Sequence, residues 1–202
     1  GQAQRNSGPA GQMMSATELI GFVLGLMMVL CSIRELHWSW PLAILSSLLY
    51  FFVFKDSLLY GEAGLQIVFA ALALWGWWQW LRKGADAQPA LVIQRLSTRG
   101  WLWLVLVSGL LWPTLALLLQ HFTDSDVAWW DALPTALSLV GQALLGRKYI
   151  ENWLVWMVVN IISVALFAHK GLWLTCVLYA LFTLMSVWGW RVWQARLKAA
   201  HP

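Results

Sequence analysis

Charge is what this sequence has least of. Only 11% of its 202 residues are charged and 60% are hydrophobic, whereas a soluble domain carries about a quarter charged residues. An ordinary water-soluble fold is excluded on that ground. Cysteine is also scarce. Cys31 and Cys176 both lie in apolar runs and form no CxxC or CxxCH, so they read as small packing residues rather than a disulfide or a metal pair. The four histidines show no HExxH spacing. No GxxxxGK[ST] phosphate loop is present, so the chain has no ATP motor of its own. Glu18, Glu62 and Asp131 all fall near the ends of apolar runs, and no carboxylate–histidine chain of the kind a proton relay needs runs through them. An enzyme needs an acid, base or metal constellation. None occurs, and no cofactor is called for.

What is present is a succession of apolar runs, each close to the ~20 residues that cross the hydrocarbon of a bilayer as helix. They predict an all-α integral membrane protein with seven transmembrane helices, over Ala16–Ile33, Trp38–Phe54, Ala63–Leu81, Trp101–Leu119, Val127–Leu145, Trp153–Ala168 and Leu172–Trp190. The lipid bilayer is therefore the first partner. Residues 1–15, opening GQAQRNSGPAGQMM, are polar and non-periodic, and are expected to be a disordered lead or a remnant of expression. A pI near 9.3 would hint at nucleic acid in a soluble protein. Here the basic residues sit in short loops and set orientation instead. Arg5, Lys55 and Lys170 lie on the N-terminal side. Arg34, Arg82, Lys83, Arg95, Arg99, Arg147, Lys148, Arg191, Arg196 and Lys198 lie on the other. The positive-inside rule puts the N-terminus outside and the C-terminus in the cytoplasm.

The chain also resembles itself. Shifted by 113 residues, WGWWQW (Trp75–Trp80) falls on WGWRVW (Trp188–Trp193), Arg34 on Arg147, Trp40 on Trp153 and Phe69 on Phe182. Ten identities occur in 47 ungapped positions, four of them tryptophan pairs. Two three-span units in the same orientation need one crossing between them. A 3+1+3 parallel repeat follows: a first three-helix repeat over 16–81, a cytoplasmic linker over 82–100, a linking helix 4 with an external loop over 101–126, a second repeat over 127–193 and a cytoplasmic tail over 194–202. Repeats of this kind are a transporter device, with the substrate near the midplane between halves.

Candidate binding residues are the polar and aromatic groups at depth. On span 6, Asn152, Trp156, Asn160 and Ser163 share a helix face, with Trp153 beside them. On span 5, Asp131, Thr135, Ser138 and Gln142 do the same. Span 2 offers Ser47, Tyr50 and Phe51, span 3 Gln66 and span 7 Tyr179. Such groups should face the bundle interior rather than lipid. The bland reading is strongest for Ser138, Ser163 and Thr183, since small polar residues in membrane helices usually mediate packing, and Asp131 reads as an interfacial residue. Tryptophan and tyrosine faces stack on flat rings and attract cations, and amides offer both donor and acceptor. No basic residue lies at depth, which disfavours phosphorylated or carboxylated ligands. A flat neutral or cationic ring bearing a sugar fits best. A membrane scaffold, with the polar groups packed between helices, is the competing class.

The stretch Lys148–Trp193, with its ENWxxWxxxN core and trailing GWxxW, resembles the C-terminal signature of the PnuC family of vitamin transporters. Trp40–Trp80 resembles the family's first repeat. The resemblance implies a SWEET-like 3+1+3 fold in the bacterial inner membrane and facilitated diffusion of nicotinamide riboside by alternating access. A separate cytoplasmic kinase would trap the vitamin. It also implies that Trp156 and Asn160, on the family's WxxxN motif, stack on and hydrogen-bond the substrate. Thiamine or another aromatic vitamin stays open as cargo, and so does homo-oligomer formation.

Overall fold

Helix ends organise the molecule. The computed structural model describes residues 16–56, 60–82, 91–122, 128–169, 171 and 173–200. Among them are seven helices: α1 (Ala16–Ile33), α2 (Ser39–Asp56), α3 (Tyr60–Leu81), α4 (Thr98–Phe122), α5 (Ala128–Gly146), α6 (Asn152–His169) and α7 (Trp173–Ala200). The span boundaries expected from hydropathy agree to within a few residues except at α7. That helix runs on through the expected tail because Trp193 and Leu197 pack into the core and Arg196 finds Glu35. The expected lead, residues 1–15, and residues 83–90 of the expected linker lie outside the described residues. By length and hydropathy alone, α4, α6 and most of α7 can cross a membrane, while α1 and α2 carry shorter apolar stretches. α5 is not among them, because one of its faces carries Asp131, Thr135, Ser138 and Gln142.

α1 and α5 end in the same way. The N–H of Leu36 bonds the carbonyl of Cys31 and that of Glu35 bonds Ser32. The N–H of Tyr149 bonds Leu144 and that of Lys148 bonds Leu145. These are Schellman caps, which close the orphan carbonyls of a helix end and normally place glycine in the left-handed position. Here the position is held by Glu35 at φ 58° and Lys148 at φ 54°, at a cost of about 1–2 kcal/mol each for an L side chain. The side chains explain the choice. Lys148 Nζ donates to Glu35 Oε2 at 2.6 Å, and Arg196 of α7 donates to Glu35 Oε1. The two strained residues, 113 apart in sequence, meet as an ion pair.

Below that ion pair lies a core of four tryptophans. Trp40 and Trp80 meet edge to face at 5.5 Å, and so do Trp153 and Trp193. Trp40 rests on Gly76 and Trp153 on Gly189, so closely that a Cβ on either glycine would fall within 2.3 or 2.7 Å of the ring. Trp80 of α3 donates its indole N–H to the carbonyl of Leu145 at the end of α5, and Trp193 of α7 donates to Ile33 at the end of α1. Each three-helix unit therefore closes a helix end belonging to the other. The helix pairs follow suit: α2 packs on α3, α6 on α7, α3 on α5 and α7 on α1, with α4 laid outside against α5. At the same end an extended segment crosses under the bundle. Gln94 pairs with Tyr149 as a parallel bridge, and the N–H of Leu96 bonds the buried Glu151 carboxylate at 3.0 Å.

Two outcomes are expected. Gly76→Val and Gly189→Val should each lower the thermal midpoint in detergent, by an amount equivalent to roughly 1–3 kcal/mol of overpacking, read from tryptophan fluorescence. An unmoved midpoint would mean the indoles have room to shift. The second concerns pH. Burial would raise the Glu35 carboxyl, but the hydrogen bonds and charges of Lys148 and then Arg196 outweigh it and hold it below 4.5. A depressed carboxylate stabilises the fold above its unfolded value and loses that contribution as pH falls through the folded one. The advantage of the native chain over Glu35→Gln should thus be constant down to about pH 5 and disappear in more acidic buffer. Midpoints measured across that range would show it.

Candidate functional site

Between the helices, away from the tryptophan core, lies a cavity of about 660 Å³. That is enough volume for a small organic molecule. Its floor is Trp153, with Ser32, Ser39 and Leu145. One wall is α6, presenting Trp156, Asn160 and Ser163, and the facing wall is α5, presenting Asp131, Thr135, Ser138 and Gln142. The i, i+4, i+7, i+11 spacing read on α5 therefore lies on one side of the same chamber. α7 contributes Tyr179, Phe182 and Ser186, α1 Met28 and Val29, and α3 Leu65 and Phe69.

Each key side chain has a local reason for its place. Trp156 fits because residue 141 of α5 is glycine, where a Cβ would stand 3.1 Å from the indole. Asn160 is buried and donates from Nδ2 to Ser186 Oγ at 3.3 Å, while Ser186 donates to the carbonyl of Phe182. The bond from Asn160 is long, and a carboxamide carries more capacity than one such contact uses. Thr135 Oγ1 donates to its own helix at Asp131. Tyr179 is stacked on Phe167 at 5.2 Å and meets Phe182 edge to face, giving a second aromatic surface in the chamber. Among the lining residues Asp131 alone is acidic, and none is Lys or Arg.

Six of the residues expected at the site are brought together here: Trp156, Asn160, Trp153, Gln142, Tyr179 and Thr135. Five are not in the lining. Asn152 is fully buried at the start of α6, where Nδ2 donates to the Tyr149 carbonyl at 2.6 Å and shapes the turn. Ser47 is buried in α2, Tyr50 and Phe51 lie farther along it, with Tyr50 exposed, and Gln66 is half-buried on α3. The chamber is asymmetric. α6 lines it along its length, while among the described residues α2, its counterpart 113 residues earlier, reaches it at Ser39 alone. Positions equivalent by the repeat are therefore not equivalent in the lining: Asn160 and Tyr179 border the chamber, whereas Ser47 and Gln66 do not. Ser138 and Ser163, read as packing residues, and Asp131, read as interfacial, do line the chamber. Thr183 does not, and bonds its own helix at Tyr179. Phe69 and Phe182 were missed, although the signal was present: they are one of the repeat identities and both face the cavity.

With this geometry in hand, comparison with known proteins is informative. Residues 15–195 match the family described as nicotinamide mononucleotide transporter. Among curated proteins, the chain is 28% identical to the nicotinamide riboside transporter PnuC of Escherichia coli (strain K12), covering 92% of this chain and 88% of that one. It is 30% identical to the riboflavin/roseoflavin transporter RibM of Streptomyces davaonensis, covering 89% and 85%. Among solved structures, the crystal structure of the vitamin B3 transporter PnuC superposes with a TM-score of 0.68 at 24% identity, over 89% of this chain and 81% of that one. That likeness establishes the fold.

Gly141→Val should push the Trp156 indole out of its seat and shrink the chamber. The expected readout is a change in tryptophan emission with helical circular dichroism retained. An unchanged spectrum would mean that α5 yields instead of the indole.

Proposed function

The chain belongs to the nicotinamide mononucleotide transporter family, and on that premise we propose that it carries nicotinamide riboside across a bacterial inner membrane by facilitated diffusion. One observation carries the choice of substrate: the chamber holds Trp156, Asn160 and the carboxylate Asp131, with no Lys or Arg among its described lining residues. Nicotinamide riboside is a flat pyridinium cation with a carboxamide and ribose hydroxyls. A tryptophan face attracts such a cation by ~0.5–2 kcal/mol. The Asn160 amide can pair with the carboxamide or a hydroxyl, and Asp131 supplies a favourable field for positive charge. A mononucleotide would bring its phosphate into a chamber with one carboxylate and no lysine or arginine to receive it. The family's description names the mononucleotide, but the chemistry of this lining favours the dephosphorylated form.

The route across the membrane is alternating access. Its support is the set of contacts that recur 113 residues apart, as expected of two parallel three-helix units with α4 as the extra crossing. The tryptophan core closes the chamber at the end that carries most of the basic residues. The positive-inside rule assigns that end to the cytoplasm and the N-terminus to the outside. Net uptake then needs a sink, and a separate cytoplasmic kinase that phosphorylates the riboside would supply one.

A second reading rests on the relative named for riboflavin and roseoflavin. Riboflavin is neutral and bulkier, and makes no use of Asp131. Calorimetric titration of the purified chain with nicotinamide riboside, riboflavin, thiamine and nicotinamide mononucleotide separates the cases. The riboside should bind and the mononucleotide should not. Asn160→Leu should weaken riboside binding by about 10- to 100-fold, the equivalent of an unpaired polar group on the ligand. Asp131→Asn should weaken riboside binding and leave riboflavin unaffected. Binding of riboflavin alone, insensitive to residue 131, would replace the substrate, and affinity for none of the four would favour a scaffold.

A further inference from the structure

A second concavity of about 660 Å³ lies outside the bundle, between α3, α4 and α5. It is almost wholly apolar. Leu96 of the extended segment borders it, and α4 lines it with Gly100, Trp103, Leu104, Val107 and Leu111, one face of the first half of that helix. α3 contributes the stripe through Val68, Leu72 and Trp75, and α5 the stripe through Leu139, Val140, Ala143 and Leu144. The two cavities share no lining residue among those described.

What distinguishes this groove from ordinary lipid-facing surface is its mouth. Seven residues beyond Trp75, the α3 stripe ends at Arg82, whose N–H still bonds Trp78 in helical register and whose guanidinium lies 4.4 Å over the Trp78 ring. The α5 stripe ends at Arg147, one turn beyond Ala143 and bonded to it. Arg99 stands at the start of α4, beside Gly100 and one turn from the exposed Trp103. α3 and α5 end, and α4 begins, at the same face of the bundle. All three arginines are exposed, and none forms an ion pair with a described residue. The two described carboxylates at this end are already engaged, Glu35 by Lys148 and Arg196 and Glu151 by the Leu96 N–H.

An apolar slot with three arginines at its end, none of them ion-paired to a described residue, matches a single amphiphile. We infer that the α3–α4–α5 groove is a binding site for an anionic phospholipid, with an acyl chain along the α4 stripe and the phosphate among Arg82, Arg99 and Arg147. Guanidinium forks suit phosphate oxygens. Charge complementarity selects this occupant over a second copy of the chain, which would bring the same positive rim to the contact. The seat is significant for transport because α4 packs on α5, and α5 is a wall of the substrate chamber. A lipid wedged between α3, α4 and α5 holds that wall.

The test is native mass spectrometry of the full purified chain in detergent, titrated with phosphatidylglycerol or phosphatidylcholine of identical acyl chains. Phosphatidylglycerol should be retained more strongly, with the preference reduced about fivefold for each of Arg99→Gln and Arg147→Gln. Ala71→Phe, which fills the slot from α3, should reduce retention of both lipids. None of these residues lines the substrate chamber, and retained helical circular dichroism and thermal midpoint report separately on folding. Equal retention of the two lipids, a preference indifferent to both arginine variants, or dimers that exclude lipid and are lost in Ala71→Phe would each overturn the assignment.

Discussion

Everything in this fold depends on how two helix ends are closed. The last carbonyls of α1 and α5 have no partner in the regular helical ladder. Inside a membrane bundle an unsatisfied group costs several kcal/mol. The local caps close Cys31, Ser32, Leu144 and Leu145, and the opposite half adds the rest: Trp193 reaches Ile33, and Trp80 gives Leu145 a second bond. For those indoles to arrive, α2 must lie against α3 and α6 against α7 at glycine distance. Hence Gly76 under Trp40 and Gly189 under Trp153. The Glu35–Lys148 pair then ties the two caps directly.

That closure also decides where the substrate chamber can be. With four tryptophans filling one end, the remaining space lies above Trp153, among α5, α6, α7, α1 and α3. The chamber inherits its floor from the structural core, so Trp153, which helps seal the bundle, also borders the chamber. Under the proposed alternating access, opening toward the basic end would require parting the indole bonds and the ion pair together, a set of discrete, directional contacts suited to a gate.

The residue choices follow a division of labour that composition hides. Of the many tryptophans, those at 40, 80, 153 and 193 are buried structural elements, Trp156 faces the chamber, and Trp78 and Trp103 are exposed at the end where the arginines gather. The polar residues divide in the same manner. Asn152 and Asn160 look alike in the sequence, eight residues apart and on related faces. Asn152 spends its amide on a turn carbonyl, whereas Asn160 stands in the chamber on one long bond to Ser186.

Much of this was legible in the chain alone. Helix number, the 113-residue echo and the polar faces of α5 and α6 follow from hydropathy and periodicity, because a membrane span must be long, apolar and internally bonded, and those demands are written locally. The WxxxN pair could be picked out because amides at depth need partners. The asymmetry of the chamber was not legible. Ser47 and Asn160 are equivalent by sequence, and so are Gln66 and Tyr179, yet only the second of each pair lines the cavity. Which face of a helix meets empty space depends on the rotation and offset of its neighbours, a property of the packed bundle and of no single segment. The same holds for Glu35 and Lys148. Their spacing showed only that they correspond, and the ion pair between them exists only once both halves have docked.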